Sequence, residues 1–119
     1  MFKHFAFLML GLILINGAFA VDQDKFTDQT TAVIRIMNKA AGKARSITAP
    51  VGQKVEFEKL SIEVKTCKQT APYAGENFYM FVQVEKNSQR IFSGWMDRNE
   101  PGENPLQDAD YDLWLVGCE

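Results

Sequence analysis

Phe78-Tyr79-Met80-Phe81-Val82-Gln83-Val84-Glu85-Lys86 is the strongest strand signal in this chain. Aromatic and β-branched residues fill it, and both of its faces are apolar in the first half, which predicts a central strand. A turn over Lys86 to Gln89 leads into Arg90-Ile91-Phe92-Ser93-Gly94-Trp95-Met96, so the pair reads as a β-hairpin. The same period of two recurs on either side. Upstream, Ala32, Ile34 and Ile36 share one face of a strand, and Val33, Arg35 and Met37 share the other. Asn38 to Lys43, with Gly42, reads as a turn and Ala44 to Thr48 as a short second strand. Ala49-Pro50-Val51-Gly52 suits a type I turn, with Pro second and Gly fourth. Alternation through Val55 and Phe57 breaks near Glu58-Lys59 and resumes with Leu60, Ile62 and Val64, giving two strands or one long bent strand. Lys68 to Asn77, with Pro72 and Gly75, is a loop, and Tyr111 to Cys118 is the closing strand. No stretch of residues 21–119 carries a helical period over three turns. The sum is about seven short antiparallel strands in a single all-β domain over residues 31–119, a small sandwich or barrel.

The chain has 119 residues, enough for one domain and too few for two. It carries 13 Lys+Arg against 15 Asp+Glu, a net charge of −2, which excludes a strongly basic nucleic-acid binder. A hydrophobic fraction of 46% with 24% charged residues excludes wholesale disorder. The first twenty residues read as an address. Met-Phe-Lys-His is a short basic head, Phe5 to Ile15 is apolar, and Ala18-Phe19-Ala20 is a small-residue end. These are the three parts of a secretory signal peptide, with cleavage expected after Ala20. An uncleaved membrane anchor is the competing reading. The apolar run is short for a span, which needs about 20 residues, and Asn16 and Gly17 interrupt it near its end. A periplasmic or secreted protein with no stable membrane insertion is the expectation. Residues 21–30 are polar and aperiodic, so they read as a flexible lead-in.

Removing residues 1–20 also removes His4, the sole histidine. Residues 21–119 then carry 12 Lys+Arg and 15 Asp+Glu, a net charge of −3, and no histidine. That excludes Ser-His-Asp and Cys-His catalysis, His-ligated metals and haem, and a histidine pH switch. Cys67 and Cys118 are the two cysteines, and in an exported chain they predict one disulfide. A bridge closing so long a loop stabilises by about 4 kcal/mol on the chain-entropy argument, and it would pin the C-terminal strand. A redox-active pair is disfavoured because no Cys-x-x-Cys spacing is present.

Several short pieces occur in order: Asn38-Lys39, Pro50-Val51-Gly52-Gln53, Leu60-Ser61-Ile62, Cys67, Phe92-Ser93-Gly94-Trp95-Met96, Asn104-Pro105-Leu106, Tyr111-Asp112-Leu113-Trp114 and Cys118. In this combination the chain resembles the exported, mostly alphaproteobacterial family catalogued as domain of unknown function 2155, over about residues 32–118. Gln107-Asp108-Ala109-Asp110 stands where that family has a Glu-His-Pro-type segment. The resemblance implies an envelope location in a Gram-negative bacterium and supplies no activity.

Candidate sites gather near one long loop. Asp97 to Asp110 breaks the strand pattern, and loops longer than about 12 residues in a compact domain are usually functional or mobile. For Trp95, at its start, core packing competes with an exposed contact patch formed with Met96 and the loop. Trp114 reads as core beside the disulfide. Asp108, Asp110 and Asp112 are spaced by two, but Leu113 stands where a hand-type calcium loop needs Gly. An irregular calcium site fed by Asp97, Glu100 or Glu103 is the weaker alternative to a solvated acidic loop. Asp112, in an apolar strand, is expected to find Arg90, Arg98 or a backbone N–H. Ser46, Ser61, Ser88 and Ser93 sit in no nucleophile motif, and no Gly-rich phosphate loop occurs. The expectation is a non-enzymatic binding or adaptor domain of the envelope, without metal or cofactor, engaging another envelope protein. Its partner-facing residues are expected to be Trp95, Met96, Asp97, Arg98, Pro101 and Leu106. An inhibitor of a cell-wall hydrolase or protease, and a barrel for a small apolar ligand, are the alternatives.

Overall fold

The computed structural model describes residues 25–119. The expected leader, residues 1–20, and the start of the lead-in lie outside the described residues. Eight strands follow in chain order: β1 (Phe26–Gln29), β2 (Thr31–Asn38), β3 (Lys43–Pro50), β4 (Lys54–Phe57), β5 (Leu60–Thr70), β6 (Phe78–Lys86), β7 (Gln89–Asp97) and β8 (Tyr111–Cys118). A 3₁₀ turn at Pro72–Ala74 separates β5 from β6. All pairings are antiparallel. One sheet runs β1-β5-β6-β7, with β4 beside β1 along the same edge of β5, and the other runs β3-β2-β8. The two sheets do not join into a barrel. They stack, β6 on β8 and both β2 and β3 on β5, so the fold is a β-sandwich.

The strand β6 sits inside the five-stranded sheet, as its sequence predicts. Phe78, Met80, Val82 and Val84 point into the core, and Tyr79, Phe81, Gln83 and Glu85 take the opposite face. Ala32, Ile34 and Ile36 from β2 and Leu60, Ile62 and Val64 from β5 complete the centre, each fully buried. Full burial of one such aliphatic side chain stabilises by about 2 kcal/mol. The β6–β7 hairpin turns on Asn87 and Ser88, with φ of 52° and 67°. Two left-handed residues make the turn whose twist matches that of paired strands.

Two bulges set the disulfide. Lys65 in β5 and Val116 in β8 have no partner in the register of their ladders. Each extra residue reverses the in–out alternation beyond it. Inward positions therefore run Leu60, Ile62, Val64 and then Cys67, and Leu113, Leu115 and then Cys118. Both cysteines face the core, 5.7 Å apart between Cα atoms, and their bond ties one sheet to the other.

Three local readings change. Phe26–Gln29, expected within the flexible lead-in, forms β1 against residues 67–70 of β5. Phe26 is the one large apolar residue in that stretch, too little for a visible period, and the pairing comes from the free edge of β5. The turn expected at Ala49–Gly52 falls one residue later: Gln53 N–H donates to Pro50 C=O at 3.1 Å. Gly52, third in that turn, has φ +87°, which a type I turn does not contain. Residues 54–70 form two strands, and β5 continues to Thr70, into the expected loop.

Candidate functional site

The outward face of the five-stranded sheet divides along the strands. The register places Phe26 of β1, Thr66 and Lys68 of β5, Tyr79 and Phe81 of β6, and Trp95 and Asp97 of β7 at one end. Phe26 meets Tyr79 edge to face at 5.8 Å between ring centroids, and Phe81 meets Trp95 at 5.5 Å. Phe26 is 44% exposed and Trp95 46%, so these rings form a platform open to solvent. Two hollows flank it. One, of about 280 Å³, is lined by Tyr79, Trp95, Asp97, Glu103 and Asn104. The other, of about 300 Å³, is lined by Phe26, Lys68, Tyr79 and Trp95 and presents apolar surface.

The segment between β7 and β8 builds the polar rim. Glu100 N–H donates to Asp97 C=O and Glu103 N–H to Glu100 C=O, so two successive turns bring three carboxylates together. An oxygen from each of Asp97, Glu100 and Glu103 lies within 4.8 Å of the others. The hydrogen bond with the Glu103 carboxyl, and repulsion from Glu103 and Asp97, hold the Glu100 carboxyl above the ordinary carboxylate value. Asp97 Oδ1 accepts from Asn77 Nδ2 at 2.8 Å and from Asn99 N–H at 2.9 Å. Asn104 Nδ2 donates to Trp95 C=O at 2.9 Å, which clasps the loop to the β7 edge. A Cβ on Gly94 would stand 2.9 Å from that same nitrogen, so any larger residue there would push the Asn104 amide aside.

The same loop is also structural. Leu106 is 4% exposed and fills the core between the two sheets. Asp108 anchors the return to β8. Its Oδ2 accepts from the N–H groups of Asp110 and Tyr111, and Lys86 Nζ lies 3.1 Å away. Burial pushes the Asp108 carboxyl up, but the Asp110 N–H and the Lys86 ammonium outweigh it and hold the group below its ordinary value. Hydrogen bonds to Asp110 and Asp108 in turn raise Lys86.

These contacts divide the six expected partner-facing residues. Trp95 and Asp97 lie on the open platform and its rim. Met96, 5% exposed, and Leu106 are core residues and cannot face a partner: Met96 points inward because strand alternation sets it opposite Trp95. Arg98 is half-buried, donates from Nη1 to Glu76 at 3.1 Å and stacks over Phe78 at 4.8 Å. Pro101 is exposed but lines a different groove, with Gly102, Pro105, Leu106, Asp112, Leu113 and Trp114. Trp114 is half-buried on the outer face of β8, so it is not the core tryptophan expected beside the disulfide. Asp112 pairs with Lys39 at 3.3 Å rather than with an arginine. Phe26, Tyr79 and Asn104 are the site residues the sequence reading missed, whereas Glu103 entered it only as a candidate calcium ligand. For Tyr79 the signal was present, since it and Phe81 occupy the face of β6 opposite the core. Among the described residues, no helix is long and apolar enough to cross a membrane.

Residues 32–118 match the model of a protein family described as uncharacterised and conserved in bacteria, DUF2155. The chain belongs to that family. No curated protein and no solved structure matches it. The family match spans β2 to β8 and so contains Tyr79, Trp95 and the acidic loop, whereas β1 with Phe26 lies before it.

Proposed function

We propose that this DUF2155 member is an exported, non-enzymatic binding module of the bacterial envelope that engages another protein through the aromatic end of its five-stranded sheet. The observation that carries the reading is the platform itself. Trp95 and Phe26, nearly half exposed, stand on a sheet whose opposite face is a packed core. Exposed aromatic rings clustered on a rigid surface are the usual anchors of protein interfaces. A secretory leader pattern and a disulfide fit an oxidising compartment. Residues 21–119 contain no histidine and no nucleophile motif, which supports a role without catalysis.

The test is crosslinking in the native bacterium with the wild-type chain and the Trp95→Ala variant side by side. A stoichiometric envelope protein that crosslinks to the first and is lost from the second, and whose purified form reproduces that difference, supports the reading. A partner held equally by both variants rejects this surface.

A further inference from the structure

We propose that the hollow between Tyr79 and Trp95 receives a basic side chain, arginine foremost, from the partner protein. This rests on the binding-module reading and names the chemistry of its partner. Two independent features of the surface converge on it. The first is aromatic. Tyr79 and Trp95 line both flanking hollows, and an indole face is the strongest aromatic partner for a cation. The second is a local charge excess, the three clustered carboxylates at the same end of the sheet. Lys68 is paired with Asp28 at 2.7 Å and Arg98 with Glu76 at 3.1 Å, so these two cations are already neutralised. Asp97, Glu100 and Glu103 have no cation within ion-pair distance among the described residues.

The arrangement discriminates among ligands. A guanidinium can lie flat on a ring while donating in-plane to a carboxylate, so it uses both features at once. A neutral sugar would use the ring but gain nothing from the charge excess. A bare divalent cation would use the carboxylates and leave the rings idle, and Asp97 Oδ1 is already occupied by Asn77 and Asn99. Phosphate-bearing partners would be repelled. The elevated proton affinity of Glu100 is consistent with a cluster awaiting positive charge.

The experiment titrates the purified full chain with three blocked heptapeptides that differ only in carrying two arginines, two serines or two glutamates. Amide and indole NMR shifts are followed, with calcium chloride and chitotetraose as further probes. The arginine peptide is expected to shift the Trp95 indole signal and the Asp97 and Glu103 amides, and the other peptides are not. The double variant Asp97→Asn, Glu103→Gln and, separately, Trp95→Ala should each weaken the arginine peptide about tenfold. The double variant removes charge without removing volume, so it keeps the test valid if Trp95→Ala perturbs packing. Equal response to the serine or glutamate peptide, no response to any peptide at millimolar concentration, or tighter binding of calcium or chitotetraose would overturn the proposal. A partner that needs Trp95 but ignores the double variant would sink this inference alone. A partner indifferent to Trp95 would sink the binding surface as well.

Discussion

The two ends of one sheet face differ in how they settle their charges. At the far end from the rings, Lys54, Lys65 and Arg90 stand among Glu56, Glu63 and Glu85, three of each sign on the same outward face. Lys65 lies 2.7 Å from Glu63, and Arg90 reaches Glu85 at 4.0 Å. That end is solvated and self-neutralised. The aromatic end exposes rings and leaves three carboxylates without cations. Both ends share β5, β6 and β7 and the same alternation, with β1 completing the aromatic end and β4 the other. The difference therefore comes from which residues occupy the outward positions and from the loop that the β7–β8 crossover delivers to one end.

The largest expected effect tests what lies beneath the aromatic end. Cys67 is in register with Met80 on one side and Gln29 on the other, directly under the rings. Replacing both cysteines by serine should cost about 4 kcal/mol in urea unfolding. Hydrogen exchange should rise first in β1 and the start of β6, and last in the β6–β7 hairpin turn. Uniform loosening of both ends would show that the disulfide supports them equally. Next in size is binding. Trp95→Ala should weaken the crosslinked partner about thirtyfold, as an interface anchor does, while Arg90→Ala at the neutral end should change affinity less than about twofold. Calorimetry with the purified partner measures both.

A smaller effect should follow from loosening the loop alone. Gly94→Ala displaces the Asn104 amide from the Trp95 carbonyl, and the lost hydrogen bond should lower stability by about 1 kcal/mol. Partner affinity should fall with it, because Glu103 and Asn104 then leave the rim. Thermal unfolding with unchanged affinity would show that the rim is not part of the surface. The smallest effect belongs to the neutral end. The hydrogen bond from Lys65 holds the Glu63 carboxyl below its ordinary value of 4.5, against the opposing pull of desolvation. Its stabilising contribution is present above the unfolded-state pKa and is lost as pH falls through the lower folded-state value. Glu63→Gln should therefore lower the melting temperature by no more than about 2 °C at pH 7 and by nothing in strong acid. A larger shift at pH 7 would mean that the neutral end is more than a solvated surface.

Legibility followed the strength of the local pattern. The β6 and β7 hairpin, the alternating face of β2 and the closing strand β8 could all be read because apolar residues recur every second position with turn residues between. β1 could not, since Phe26 alone carries its pattern and its partner lies about forty residues away in the chain. Met96 and Leu106 were misplaced for two different reasons. Met96 belongs to β7, so its direction follows once Trp95 is known to face out. Leu106 sits in an irregular loop, where no period says which way a side chain points. The two bulges left one trace that a sequence reader could use: Cys67 and Cys118 fall out of phase with Leu60-Ile62-Val64 and Leu113-Leu115, and an inward disulfide demands an extra residue before each.

By itself the sequence determined an all-β fold, a disulfide between Cys67 and Cys118, and a match to one bacterial family. Those conclusions rest on composition, on a period of two and on counting, all of which are local properties of the chain. Only the tertiary structure decided that the domain is a sandwich rather than a barrel, because closure depends on which edges meet. It also decided that Phe26, Tyr79, Trp95, Asp97 and Glu103 share one surface. Those residues come from three strands and a crossover loop, and a surface assembled from pieces so far apart exists only once the strands have taken their register.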